Sequence, residues 1–250
     1  MALVCDDQSV VCRAVVFDLF HTLVDTEHVR PAGFVASAEV ADLVGVDRGE
    51  FADFWAETYV ERESTMLDLV DLTTRFCDHV GLSVTAAQRN RIDELFGMGK
   101  DDALLHPRPD VVAMVATTAT RAHVAVLSNC HLREVRGWPR SPLAEHVSVF
   151  ARSCEIGFMK PDVRSYEWVL DRLGVPAAEA SYVGNGASDE LVGARNAGFG
   201  RVVHCNVFDS INGLVPVDEQ QRRAAHADVS VDTIAQLSAA IDACLYAGPR

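Results

Sequence analysis

No run of apolar residues in this 250-residue chain approaches the roughly 20 needed to cross a bilayer. Basic residues are scarce: 22 Lys and Arg against 36 Asp and Glu leave a net charge of −14. A surface of that sign repels polyanions, so nucleic acid is excluded as the expected partner. No cysteine pair shows the CxxC spacing. The seven cysteines (Cys5, Cys12, Cys77, Cys130, Cys154, Cys205 and Cys244) are odd in number and scattered. That pattern argues against a disulfide framework or a zinc site. It fits reduced thiols, and hence a cytoplasmic compartment. Asp6 and Asp7, beside only a short apolar run, argue against a secretory signal. Internal repeats and low-complexity tracts are lacking too. What remains is an ordinary soluble balance, 49% hydrophobic and 23% charged. The length allows one domain, or a domain with an insertion.

The chain is organised around Ala14-Val15-Val16-Phe17-Asp18-Leu19-Phe20-His21-Thr22-Leu23-Val24-Asp25. Four apolar residues run straight into Asp18. A valine-rich apolar run reads as a strand buried on both faces. A carboxylate at its end stands at the carboxyl edge of a parallel sheet, where open α/β proteins bind ligands.

Residues 1–12 read as a loose leader before this strand. From about residue 27 to 105 the apolar spacing turns helical. It runs through Val40, Leu43 and Val44; Phe51, Phe54, Trp55 and Tyr59; Leu69, Leu72, Phe76 and Val80; and Ile92, Leu95 and Phe96. About four amphipathic helices are expected, with no strand between them. Pro31, Pro107 and Pro109 bracket the block. The α/β rhythm then resumes. Strands are expected at His123–Leu127, Val147–Ala151, Ser181–Val183 and Arg201–His204. Helices are expected at Asp110–Thr118, Asp162–Leu173, Ser188–Ala197 and Thr233–Leu245. The predicted architecture is a doubly wound parallel α/β sheet, residues 13–26 and 106–250, carrying an inserted helical cap, 27–105.

Four motifs fall at strand ends or on loops, in order: Phe17-Asp18-Leu19-Phe20-His21-Thr22-Leu23, Leu127-Ser128-Asn129, Lys160-Pro161-Asp162, and Gly184-Asn185-Gly186-Ala187-Ser188-Asp189-Glu190. Together they resemble the haloacid dehalogenase superfamily, mostly phosphate-hydrolysing enzymes, over nearly the whole chain. The resemblance implies a Rossmann-like core with a cap and a small-molecule substrate. It makes Asp18 the nucleophile of a covalent aspartyl intermediate. A carboxylate can attack carbon or phosphorus and later be freed by water. Ser128 and Thr22 would supply hydroxyls to the transferred group, with Asn129 and the Phe20–His21 loop nearby, because donors after a strand can meet an anion. Lys160 would neutralise Asp18 and the substrate charge. Asp18, the Phe20 carbonyl, Asn185 and Asp189 would hold Mg²⁺, with Glu190 as a weaker candidate ligand.

Two positions depart from the phosphatase pattern. Phosphatases of this superfamily usually carry a second Asp two residues after the nucleophile, to protonate the leaving group. Phe20 stands there instead. Asn185 replaces a usual Mg²⁺-ligating Asp. An aromatic at the Phe20 position is what the 2-haloacid dehalogenase branch tends to have. Its leaving halide needs neither acid nor metal. That branch also uses a cap arginine for the substrate carboxylate. The corresponding position falls near Ala56, flanked by Arg48 and Arg62. The expected activity is Mg²⁺-dependent hydrolysis of a small phosphate ester. The alternatives are metal-free 2-haloacid dehalogenation, or a binding protein that has lost efficient catalysis. His21 is expected to be structural, as is Tyr166. The Phe51, Phe54, Trp55 and Tyr59 stripe is expected to be helix-bundle core, with Asp53, Glu57 and Glu61 on a solvated face.

Overall fold

The computed structural model describes residues 12–213 and 215–245. The expected leader, apart from its last residue, lies outside this range, as do Cys5, Asp6 and Asp7. Six parallel strands form one sheet in the order β3-β2-β1-β4-β5-β6. These are β1 (Ala14–Phe17), β2 (His123–Ser128), β3 (Val149–Arg152), β4 (Ala180–Gly184), β5 (Arg201–Cys205) and β6 (Val229–Val231). β1 is central and wholly buried. Its register pairs Phe17 with Val126 on one side and Val183 on the other. Alternation divides its side chains between two apolar clusters: Val15 and Phe17 face one, Ala14 and Val16 the other. The chain winds outward from β1 through β2 to β3, then restarts at β4 on the opposite flank. The β1/β4 junction is therefore the topological switch point, whose carboxyl end forms a crevice.

Between β1 and β2 lie α1 (Ala36–Val44), α2 (Arg48–Glu57), α3 (Tyr59–Ser64), α4 (Leu69–His79), α5 (Ala86–Gly97), α6 (Lys100–Leu105) and α7 (Pro109–Ala119). The expected helical block thus holds six helices, α1–α6, rather than about four. Short ones such as α3 carry too few turns to show a period. Asp47 and Asp68 cap α2 and α4 by accepting from backbone N–H groups of the first turn. Thr85 and Gln88 form a capping box on α5. Phe51 is the buried centre of a third apolar cluster, stacked with Trp55 and edge-on to Phe76. Ala103 and Leu104 of α6 leave this cluster and join the sheet's.

The other core elements are α8 (Ser153–Ile156), α9 (Val163–Leu173), α10 (Glu190–Asn196), α11 (Val207–Asn212), α12 (Val217–Ala224) and α13 (Ile234–Leu245). The strand expected from Val147 begins at Val149. The sequence pattern does not reveal α11, α12 or β6. β6 is a three-residue edge strand, and α12 buries no side chain, so neither shows an apolar period.

Candidate active site

Asp18 leaves β1 at the crevice, its N–H donating to the Val183 carbonyl of β4 at 2.8 Å. The chain then turns tightly. Leu23 and Val24 N–H groups both return to the Leu19 carbonyl, and His21 takes a left-handed conformation with φ 61°. This turn brings Thr22 back so that its hydroxyl donates to Asp18 Oδ2 at 2.9 Å. The other carboxylate oxygen, Oδ1, accepts from Lys160 Nζ at 2.5 Å. Lys160 also donates to Glu190 Oε2 at 2.5 Å and, at 3.3 Å, to the Tyr182 hydroxyl. Tyr182 in turn donates to Glu190 Oε2 at 2.6 Å, and the Gly186 N–H donates to Oε1 at 2.8 Å. Asp18 is 7% exposed, Lys160 4% and Glu190 1%, so two carboxylates and one ammonium share a dry pocket. Breaking such a group by removing one partner is costly.

Burial alone would pull the Lys160 ammonium down, but the charges of Asp18 and Glu190 more than reverse this. Its pKa rises above the ordinary lysine value, and it stays protonated across the physiological range. Burial, then the nearby Asp18 charge, pushes the Glu190 carboxyl up against the pull of Lys160. Burial also raises the Tyr182 hydroxyl. The result is a fixed cation holding one oxygen of Asp18 and a hydroxyl holding the other.

Asn129 does not contact Asp18. Its side chain makes two bonds to the Lys160 backbone: it donates to the carbonyl at 2.9 Å and accepts from the N–H at 2.8 Å. It fixes the lysine's loop, whose Lys160–Pro161 bond is cis. Ser128 is buried at the end of β2, with only a long 3.5 Å bond from its hydroxyl to the next carbonyl. Phe20 is half-buried, with Lys100 Nζ 3.9 Å from its ring centroid. His21 lies 3.9 Å from each of two carboxylates, Glu27 and Asp209, and its buried Nδ1 has no hydrogen-bond partner among the described residues. Tyr166 is buried in the sheet-side core, as expected, and donates to the Glu190 carbonyl at 2.7 Å.

The fourth motif departs most from expectation. Ser188 and Asp189 are both left-handed, φ 53° and 51°. Two such residues in succession swing Asp189 to the surface, where it meets Arg222 at 3.1 Å, and turn Glu190 inward. Gly184 allows this, since a Cβ there would stand 2.3 Å from Glu190 Oε1. Asn185 is engaged elsewhere: its amide nitrogen donates to Asp209 Oδ2 at 3.1 Å, and its oxygen accepts from the Ala187 N–H at 3.2 Å. Arg223 meets both the Asn185 carbonyl and Asp209. Of the expected Mg²⁺ donors, Asp189 pairs with Arg222 and Asn185 bonds Asp209 and the Ala187 N–H, while each Asp18 oxygen accepts one hydrogen bond and keeps a further lone pair. Asp189→Asn tolerates the left-handed backbone and removes only an exposed charge. It is expected to change stability by less than about 0.5 kcal/mol and to leave turnover within a factor of ~2. Urea denaturation and steady-state rates check this.

A cavity of about 650 Å³ lies between the helical block and the loop after β2, and Lys100, whose Nζ stands over the Phe20 ring, is part of its wall. Arg30, Trp55, Arg62, Glu63, Lys100 and His131 line it. Arg62 is buried and stacks on Trp55 at 3.7 Å, whereas Arg48 is exposed and paired with Asp42. Of the two arginines flanking Ala56, the fold directs Arg62 to the cavity. Of the expected Phe51, Phe54, Trp55 and Tyr59 stripe, the first three pack in the block's apolar cluster, whereas Tyr59 is exposed outside it and, with Trp55, lines the cavity.

The end of β1, its lysine partner and the order of the strands define a haloacid dehalogenase-type core. The family description "haloacid dehalogenase-like hydrolase" matches residues 12–198, more than half of the chain, and the chain belongs to that family. It is similar to (S)-2-haloacid dehalogenase 1 of a Pseudomonas species: 30% identity over 201 residues, 76% of this chain and 83% of the relative. It is also similar to glyceraldehyde 3-phosphate phosphatase of Methanothermobacter thermautotrophicus: 27% over 103 residues, 40% of this chain and 46% of the relative. Among solved structures, 2-haloacid dehalogenase from Pseudomonas syringae shares the fold with a TM-score of 0.64. The identity is 21%, covering 93% of this chain and 99% of that one. The protein is a hydrolase of this family, and no helix among the described residues is long and apolar enough to cross a membrane.

Proposed function

We propose that Asp18 displaces halide from carbon 2 of a short 2-haloacid, without a metal. The observation that carries this reading is Phe20. The position two residues beyond Asp18 offers an aromatic ring under Lys100, and no proton donor for a leaving group. A phosphate ester's alkoxide needs that proton, whereas halide leaves as an anion. In the proposed reaction an Asp18 oxygen attacks carbon 2. A carbon–oxygen bond forms, the carbon–halogen bond breaks, and the halide takes its electron pair. Water then attacks the Asp18 carbonyl carbon, releasing the 2-hydroxy acid and one proton to solvent and regenerating the carboxylate. Lys160 holds the nucleophile in place and offsets charge. Arg62 and Lys100 give the cavity cations for the substrate carboxylate. The domain reading follows: a core bearing Asp18 and a helical cap that selects the acid.

A second reading, Mg²⁺-dependent hydrolysis of a small phosphate ester, rests on Asp209. Its buried carboxylate lies against Asn185, close to where the usual acidic ligand would stand. One experiment separates the two. The protein is incubated with each enantiomer of 2-chloropropionate, and with a panel of phosphate esters, with Mg²⁺ or with chelator. Halide release insensitive to chelator is the expected result. Phosphate release that needs Mg²⁺, without halide release, would establish the second reading. Silence in both assays would favour a protein that has lost efficient catalysis.

A further inference from the structure

A second set of ligating side chains stands apart from Asp18. His131 immediately precedes a 3₁₀ turn, Leu132–Val135, that follows β2, and Glu134 lies three residues on. With three residues per turn, i and i+3 stand on one side of such a helix. Glu63 approaches from α3, in the helical block, which packs against α8 of the core. One donor atom from each of the three side chains lies within 4.8 Å of the others.

The cluster is built rather than incidental. Glu63 is 7% exposed and His131 5%. Glu63 lines the cavity, and His131 Nδ1 is buried without a hydrogen-bond partner among the described residues. Glu134 is anchored through one oxygen only: Oε1 accepts from Lys100 Nζ at 2.9 Å, while Oε2 lies 3.7 Å from His131 Nε2. Arg62, the other nearby cation, donates through Nη1 to the Trp55 carbonyl and the Thr58 hydroxyl.

We propose that Glu63, His131 and Glu134 bind one divalent cation of the zinc or cobalt class, tying the helical block to the sheet. An imidazole with two carboxylates suits these borderline ions better than Mg²⁺ or Ca²⁺. Three protein ligands at a cavity wall leave a further position open. The site shares the cavity proposed for the substrate carboxylate, but cation binding there does not depend on the reaction proposed for Asp18.

Equilibrium dialysis of the full chain against Co²⁺, followed by elemental analysis and visible absorption, tests this. One cobalt per chain is expected, with a d–d spectrum. Glu63→Gln and His131→Ala should each weaken binding at least ~10-fold, since even outer-shell changes cost that much. Asp18→Asn should keep the full cobalt content, which separates this site from the reaction at Asp18. Absence of stoichiometric cobalt would overturn the proposal. So would cobalt retained at wild-type affinity in Glu63→Gln, which exchanges only an oxygen for an amide nitrogen and preserves shape. If His131→Ala does not fold by circular dichroism, Glu63→Gln decides alone.

Discussion

Asp18→Asn is expected to abolish turnover, by at least ~10⁴-fold, while the protein stays folded. An amide oxygen still accepts from Lys160, and the Thr22 hydroxyl can rotate to accept from the new amide nitrogen. Lys160 also keeps its second carboxylate, Glu190, at 2.5 Å. The melting temperature should therefore stay within ~4 °C of wild type, the shift that about 1 kcal/mol makes in a chain of this size. Rates on the substrate found by the halide and phosphate screen, with calorimetry on the same sample, check both halves. Turnover surviving within tenfold would remove Asp18 from the chemistry, and loss of folding would make the variant's inactivity uninformative.

Lys160→Met carries the largest expected effect on stability. The methionine fills similar volume but leaves Asp18 and Glu190 buried together without a cation. Removing one partner of such a group typically costs about 3–5 kcal/mol. Burial of all three groups supports the upper part of this range, because little solvent is present to screen the two carboxylates. Adding Glu190→Gln removes one of the stranded charges and should restore part of the loss. The double variant is expected to be more stable than Lys160→Met, an interaction that urea denaturation of the cycle measures. A single variant as stable as wild type would mean that the ammonium does not hold the pocket together.

The sequence disclosed β1 and Asp18 because a continuous apolar run ending in a carboxylate has few other readings in an α/β chain. Most of the helix and strand alternation after Pro109 was legible for the same reason: apart from α11, α12 and β6, the longer elements repeat an apolar period over most of their length. The exchange of Asp189 for Glu190 was not legible. It depends on Ser188 and Asp189 both taking left-handed backbone, and neither residue type announces that. The reach of Arg222 and Arg223 was hidden too, since α12 is a mostly polar helix that buries no residue. Glu63 and Arg62 share a short helix, where spacing cannot tell a cavity-facing residue from a solvated one. Asn129 was placed near the anion by its position after β2, yet its two bonds to the Lys160 backbone make it a positioning residue.

The central claim is that the reaction passes through a covalent ester on Asp18 that water opens at the Asp18 carbonyl. Turnover of 2-chloropropionate in heavy-oxygen water, followed by mass analysis of the peptide containing Asp18, tests it most directly. The account predicts heavy oxygen in the Asp18 carboxylate, while product from a first single turnover carries the light oxygen that Asp18 supplied. Heavy oxygen in the product from the first turnover, with Asp18 unlabelled, would contradict it.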